Sequence, residues 1–430
     1  MPKSVSFGNR TLSLSRNFEL RTYRSNYLDS SGILNEAFGR MIHLVKAGHT
    51  LKTDFPDSDI HDITLNTFNY KLASLPVLDG INIAIRSPNE TLDFGIDESY
   101  YLYVPDTGSI LFARIEAATV FGALHGLENV LHWHIVDDQS FPIEVPSYPK
   151  LWKGAYSNSE RYTIEDAAEI VKYAEQRGVN VLAEIDVPGH TSSWGFGYPS
   201  LWPSNGCRNP LDVSNEFAFE VIDGILSDCW NTTPHIKDWL NDNNMTLSDG
   251  YRYFVLRAQN IALSHGYDII NWEETFNNFG DKLSPKTVVH NWLGEGVAQK
   301  VVAAGLRCIV SNQNRWYLDH LDVTWKGFYA NEPLTGISDP NQQKLVIGGE
   351  VCMWSEQIDT SNIQRIIWPR AAAAAERLWS PLEKLPKDPR EVTLRLAHFR
   401  CLLNQRGIQA APLDGYSRNV PQDPGSCINQ

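Results

Sequence analysis

Asn129–Pro142, NVLHWHIVDDQSFP, reads as a strand that runs into acids. Val130, Leu131, Ile135 and Val136 are the aliphatic residues of a buried strand, and Asp137, Asp138 and a polar loop end it. In parallel α/β proteins the C-terminal ends of the strands face the ligand, so these acids stand where chemistry is done. Strand alternation puts His132, His134, Val136 and Asp138 on one face, and Leu131, Trp133, Ile135 and Asp137 on the other. Two histidines at that spacing also suit a metal, which would need a further ligand cluster. Only His190 offers itself, so a packed polar layer is the plainer role, and no metal or cofactor is expected.

The chain has 430 residues, more than one ordinary domain requires. Its 42% hydrophobic and 11% aromatic content excludes a disordered chain. A net charge of −14 argues against nucleic acid and anionic membranes as partners, since both call for a basic face. Tryptophans at strand ends instead suit sugar rings. No apolar run reaches the roughly 18 residues of a membrane span, so no membrane insertion is expected. The opening MPKSVSFGNRTLSLS lacks the apolar core of a signal peptide. Asn9, Asn89, Asn231 and Asn244 nevertheless begin Asn-x-Ser/Thr sequons, and six cysteines are present. Together they point to a secretory-route ancestry.

Residues 1–127 read as a small α+β domain. Thr11–Ser15 and Phe18–Tyr23 are expected as strands, Gly32–Ala47 as a helix and Ile81–Ile85 as a strand. Glu98–Glu116 is expected as a hairpin turning at Asp106 and Gly108, and Ala117–Leu127 as a helix. Residues 128–430 alternate. Strands are predicted at Asn129–Val136, Val179–Ile185, Tyr267–Trp272, Thr287–Leu293, Leu306–Ser311 and Leu345–Glu350. Helices are predicted at Thr163–Arg177, Ser248–His265 with Gly266 as cap, Glu295–Ala304 and Asn362–Trp379. Such alternation means a parallel sheet with crossover helices, and a closed (β/α)₈ TIM barrel is the natural architecture. Only six of eight strands can be read. One gap falls at 128/129, where a helix meets a strand with almost no loop. Another falls at 228/229, inside three helices from Glu216, Pro234 and Ser248 that follow one another without a strand.

The runs His132–Pro142, Ala183–Gly195 (AEIDVPGHTSSWG), Asn271–Phe276 (NWEETF), Trp316–Asp319 (WYLD), Gly348–Asp359 (GGEVCMWSEQID) and Trp368–Ser380 (WPRAAAAAERLWS) closely resemble glycoside hydrolase family 20. These are the β-N-acetylhexosaminidases, and the likeness is greatest to the plant-like or lysosomal branch. The resemblance implies a small α+β domain before a (β/α)₈ barrel, and hydrolysis of terminal N-acetylglucosamine or N-acetylgalactosamine from glycoprotein glycans or chitooligosaccharides. It implies a substrate-assisted retaining mechanism without a metal. It also implies sugar contacts from Asp137 or Asp138, His190, Trp272, Trp292, Tyr317, Asp319, Trp354 and Glu356. Asp186 and His190 would support the catalytic carboxyl. The plainer readings are core packing for the tryptophans, a solvated loop for Tyr317 and Asp319, a core histidine at His190 and a surface acid at Glu356.

The family's disulfides would pair Cys207 with Cys229 and Cys401 with Cys427, leaving Cys308 and Cys352 as buried free thiols. Members are secreted, vacuolar or lysosomal, and a homodimer is common among them.

The departure from the family pattern is sharp. Its catalytic Asp-Glu pair lies in a His-x-Gly-Gly-Asp-Glu motif on the fourth barrel strand, and this chain contains no such motif. The pattern places it between Asp228 and Cys229. The first strand, with a sugar-gripping Arg, should fall between Glu128 and Asn129. Both gaps point to internal deletions, by alternative splicing or a gene-model error, and hence to a chain with at most trace hexosaminidase activity. The rival readings are a non-catalytic binder of N-acetylhexosamine and an unstable truncated isoform. Glu184 with Asp186, or Glu273 with Glu274, would serve as the dyad of an ordinary retaining glycosidase in a reading without the family.

Overall fold

A computed structural model describes residues 12–50, 76–90, 96–105, 111–124, 129–221, 234–380, 382–386 and 388–413. The chain divides into two compact units. One comprises the chain up to Asp186 together with His190–Pro199, and the other Val187–Gly189 together with the chain from Ser200.

In the first unit, β1 (Ser13–Arg21), β2 (Val77–Ile85), β3 (Tyr100–Tyr103) and β4 (Leu111–Ala117) form one sheet in the order β1-β2-β4-β3. Thr11–Ser15 and Phe18–Tyr23 were expected as two strands. Among the described residues a single strand spans both, because a shift of register against β2 between Leu14 and Glu19 absorbs the irregular polar stretch between them. The expected hairpin is present as antiparallel pairing of Tyr100–Tyr103 with Arg114–Ala117. Its turn at Asp106 and Gly108 lies outside the described residues. Helix Ile33–Thr50 supplies Ile33 and Leu34 to a core with Ile81, Ile83, Ile85, Ala113 and Phe121.

The same unit carries β5 (Asn129–Val136) and β6 (Val179–Ile185), which pair in parallel as a two-stranded ladder. Helix Ile164–Glu175 connects them. Its start is a capping box, with Thr163 accepting from the Asp166 N–H and Asp166 accepting from the Thr163 N–H.

In the second unit, β7 (Ile270–Trp272), β8 (Val288–Asn291), β9 (Arg307–Val310) and β10 (Val346–Gly349) form a parallel ladder in that spatial order. Each is shorter than the run expected, although the ladder bonding reaches past the strand starts, with Val288 N–H donating to Ile269 O at 2.9 Å and Cys308 N–H to Leu345 O at 2.8 Å. Val289, Cys308, Val310, Trp316 and Phe328 fill the core against these strands. Helix Leu247–Ser264 ends in a Schellman motif: Tyr267 N–H reaches Ala262 O and Gly266 N–H reaches Leu263 O, with Gly266 at φ 83°. Asn362–Trp379 was expected as one helix and is two, Ile363–Ile367 and Arg370–Trp379. Pro369 disfavours helical backbone at Trp368, which is extended (φ −101°, ψ 135°). No helix among the described residues is long and apolar enough to cross a membrane.

Candidate active site

The candidate residues gather in two clusters, one in each unit. The first is built where β5 ends. Glu184 of β6 stands in register with His134, and its Oε2 lies 2.9 Å from His132 Nε2 and 3.1 Å from His134 Nδ1. The two histidines therefore share a face, as alternation requires. After His134 the parity fails. Val136 pairs with Ile185, so Ile135 is an extra residue in β5, a bulge that resets which face the following residues take.

As a result Asp137, not Asp138, joins the histidines. His190 Nδ1 lies 2.7 Å from Asp137 Oδ1, and His134 Nε2 lies 3.6 Å from the same oxygen. Asp138 instead accepts the Ser192 N–H at 3.0 Å. Asp186 Oδ2 is 3.6 Å from His190 Nδ1.

The charges in this cluster are strongly coupled. Burial opposes the imidazolium of His134, but the carboxylates of Asp137, Glu184 and Asp186 outweigh it and push its pKa up to about 10. Burial also opposes the charged forms of Asp137 and Glu184, yet their histidine partners hold both well below the usual carboxylate range. Asp186 goes the other way. Burial and the neighbouring Glu184 raise it to about 6. The hydrogen bond to Asp137 raises the His190 imidazole. Two triads here bring ligand atoms close together, His134 with Asp137 and His190, and His134 with Glu184 and Asp186. The same atoms form the ion-pair network of the cluster. His190 adopts a left-handed backbone, φ 59°, a strained conformation of the kind that gathers at functional sites.

The second cluster is aromatic. Trp272 ends β7, Trp292 follows β8, Tyr317 lies in the segment after β9, and Trp354 follows β10. Their rings close a circuit with centroids 6.1 Å apart (Trp272–Trp292), 6.3 Å (Trp292–Tyr317), 6.2 Å (Tyr317–Trp354) and 6.3 Å (Trp354–Trp272). Four successive parallel strands thus each contribute one ring from the C-terminal end.

Backbone bonds fix the circuit. Leu318 N–H reaches Cys352 O at 2.7 Å and Cys352 N–H reaches Trp316 O at 3.0 Å, which ties the Tyr317 segment to the one bearing Trp354. Burial pushes the Tyr317 phenol far up, so it stays neutral. Asp319 has one buried carboxylate oxygen, Oδ1, without a hydrogen-bond partner, and its other oxygen is 3.9 Å from His320. Glu356 is exposed at the rim of its loop.

The acids after β7 have a different role from the dyad that a reading without the family offers for them. Glu273 is buried and accepts from Asn291 Nδ2 (2.5 Å), Trp292 N–H (2.8 Å), Leu293 N–H (3.1 Å) and Asn277 Nδ2 (3.2 Å). Glu274 accepts the Trp292 indole N–H at 3.0 Å on both oxygens. These carboxylates hold the loop and the indole in place, and Glu184 is bound by two histidines, so neither acid pair has the free geometry of a glycosidase dyad. The only hint in the sequence was an acid pair directly after a tryptophan at a strand end.

Cys308 and Cys352 are buried free thiols, as expected. Cys207 and Cys401 are buried, while Cys229, Cys427, Asn9 and Asn231 lie outside the described residues. Asn89 and Asn244 are exposed.

Comparison with known families bears on this geometry directly. The catalytic-domain model of glycosyl hydrolase family 20 matches residues 123–226 and 220–382, and a "beta-acetyl hexosaminidase like" model matches residues 1–130.

The chain belongs to glycosyl hydrolase family 20.

Within the family it is similar to "Beta-hexosaminidase 3" of Arabidopsis thaliana, 51% identical over 100% of this chain and 93% of the relative. By this homology it is classed as a β-N-acetylhexosaminidase. A Flavobacterium johnsoniae chitobiase of the family has the same mixed α/β fold, with TM-score 0.75 and 24% identity over 95% of this chain and 72% of the other. So does an exo-β-N-acetylglucosaminidase of Vibrio harveyi solved with N-acetylglucosamine, with TM-score 0.69 and 20% identity over 95% and 77%. An N-terminal part and parallel sheets are thus family 20 features of this chain.

Proposed function

We propose that this chain is a β-N-acetylhexosaminidase by descent, severely impaired in turnover, whose aromatic circuit still holds a terminal N-acetylglucosamine or N-acetylgalactosamine of a glycan or chitooligosaccharide. The circuit of Trp272, Trp292, Tyr317 and Trp354 is the observation that carries the sugar reading. Indole and phenol faces stack on the apolar faces of a pyranose and its acetamido group. The unused oxygen of Asp319 is a charged acceptor for a sugar hydroxyl, stronger than a neutral one. Glu356, exposed in the loop after Trp354, is the second carboxylate of this reading.

In the family's chemistry the acetamido oxygen of the substrate attacks the anomeric carbon. An Asp orients that amide, and the adjacent Glu protonates the leaving oxygen and then activates water. In this chain Asp137, Asp186 and His190 keep the network that would support such an acid. The Asp-Glu pair itself is what the reading holds to be missing.

Three observations support that loss. The His-x-Gly-Gly-Asp-Glu motif occurs nowhere in the 430 residues. The alignment with the Arabidopsis relative runs to 511 positions, so about 81 of them, 511 less 430, have no residue of this chain opposite. The catalytic-domain matches break at residues 220–226, beside the expected gap at 228/229. The ladders, of two and of four parallel strands, agree with a (β/α)₈ barrel reduced to six strands after an α+β domain over residues 1–127. Family disulfides Cys207–Cys229 and Cys401–Cys427, glycans on Asn89 and Asn244, and a homodimer belong to the same reading.

Loss of a general acid lowers the rate by about 10²- to 10⁴-fold, and loss of the amide-orienting Asp lowers it further. A chromogenic N-acetylglucosaminide assay on the purified chain, beside calorimetric titration with N-acetylglucosamine, tests both halves. The expected result is binding with trace turnover. Turnover at a rate ordinary for the family overturns the impairment, and a folded chain that takes up no sugar overturns the pocket.

A further inference from the structure

Arg370 opens helix Arg370–Trp379, yet its guanidinium serves a different segment. Nη1 donates to His320 O at 2.9 Å and to Val323 O at 3.2 Å, Nη2 donates to Leu318 O, and Nε and Nη2 donate to Ile366 O at 3.2 and 3.1 Å. The cation also lies 5.1 Å from the Phe328 ring centroid. Three of its four carbonyl acceptors come from the six residues Leu318–Val323, and they bracket Asp319 on both sides.

No ion pair to Arg370 occurs among the described residues, so backbone dipoles hold this half-buried charge. Burial pulls its pKa down, while the nearby charges of Asp319 and Asp322 act in the opposite direction. A planar fork of fixed N–H directions dictates where several carbonyls must sit, which a lysine ammonium does not. The loop so held presents an acceptor, Asp319 Oδ1, to which the chain gives no hydrogen bond.

We propose that Arg370 is a positioning residue for sugar recognition, pinning Leu318–Val323 so that Asp319 stands next to Tyr317 as a fixed acceptor for a sugar hydroxyl. This inference rests on the reading of the aromatic circuit as an N-acetylhexosamine pocket. Arg370 touches no substrate and acts through the loop.

The test is a double-mutant cycle on the full chain, read by calorimetric titration with N-acetylglucosamine. Arg370→Met is expected to weaken binding about tenfold or more, and Arg370→Lys by less. In an Asp319→Asn background, Arg370→Met should add less than about twofold, because the two residues act as one unit. Wild-type affinity in Arg370→Met, or full additivity with Asp319→Asn, overturns the proposal. Should Arg370→Met fail to fold, Arg370→Lys carries the same cycle.

Hydrogen exchange separates this inference from the pocket reading. Faster exchange at the Leu318 and Val323 amides of Arg370→Lys, confined to that loop, supports the pinning even if the wild type takes up no sugar, an outcome that would sink the pocket reading alone. Unchanged exchange there overturns the role of Arg370.

Discussion

Protonation of His134 is coupled to the stability of the first unit. Its folded pKa of about 10 stands above the ordinary 6.5, so below pH 6.5 both folded and unfolded chains hold the proton and the ion pairs contribute fully. Between 6.5 and about 10 the unfolded chain has released that proton while the folded chain keeps it, and stability falls as pH rises through the window. The effect is on the order of 2 kcal/mol, less than about 1.4 kcal/mol for every pKa unit, because Asp137 and Glu184 share the same ion pairs. Urea midpoints of the wild type should therefore decline between pH 6.5 and 9, and His134→Gln should flatten that slope. Equal slopes in the two proteins would remove His134 from the account. At this scale the sequence was legible for residue types and less so for partners. Which of Asp137 and Asp138 meets the histidines depends on a one-residue bulge at Ile135, and nothing in the local pattern of NVLHWHIVDD announces it.

Among the elements, β10 carries a tight constraint at its last residue. A Cβ built on Gly349 would lie 2.3 Å from Trp316 Cζ3 and 2.9 Å from Val310 O, against a fully buried indole and a ladder carbonyl that cannot yield. Gly348, one residue earlier, has nothing within 4 Å of its Cβ position. Gly349→Ala should therefore destabilise by about 1–3 kcal/mol, the usual range for overpacking, and lower the melting temperature by several degrees, while Gly348→Ala leaves it near the wild-type value. Similar melting temperatures for the two variants would mean that the strand accommodates the methyl. The six strands from Asn129 onward were legible because each is a short run rich in β-branched, aliphatic or aromatic residues; β5 and β6 keep the expected bounds, while the other four are shorter. Helix Asn362–Trp379 was misread because its apolar periodicity continues through Pro369 while the backbone does not. Thr11–Tyr23 was divided because a polar interruption looks like a turn when only a shift of register is present.

At the scale of the molecule, two ladders that stop after two and four strands raise the question of what would complete them. Among the described residues β6 has one strand partner, β5, and on the reading proposed above the strand that would pair with its other edge is the one lost at 228/229. The side chain of Leu131 on β5 gives a second indication: an aliphatic residue in the middle of a parallel strand is 44% exposed, where a covered face would bury it. Edge strands with unpaired N–H and C=O groups are also sites of self-association. Reinstating the corresponding segments of the Arabidopsis relative at 128/129 and at 228/229 should therefore act on two observables separately. On the reading proposed above the segment at 228/229 would supply the Asp-Glu pair, so with both segments present the rate on a chromogenic N-acetylglucosaminide should rise by at least the 10² to 10⁴ associated with a general acid. The segment at 128/129 alone supplies no acid and should raise the melting temperature without raising the rate. A chimaera with both segments that melts higher yet stays inactive would show that the lesion lies in residues this chain still has, and the aromatic circuit and the Asp137–His190 network would be the places to search for it.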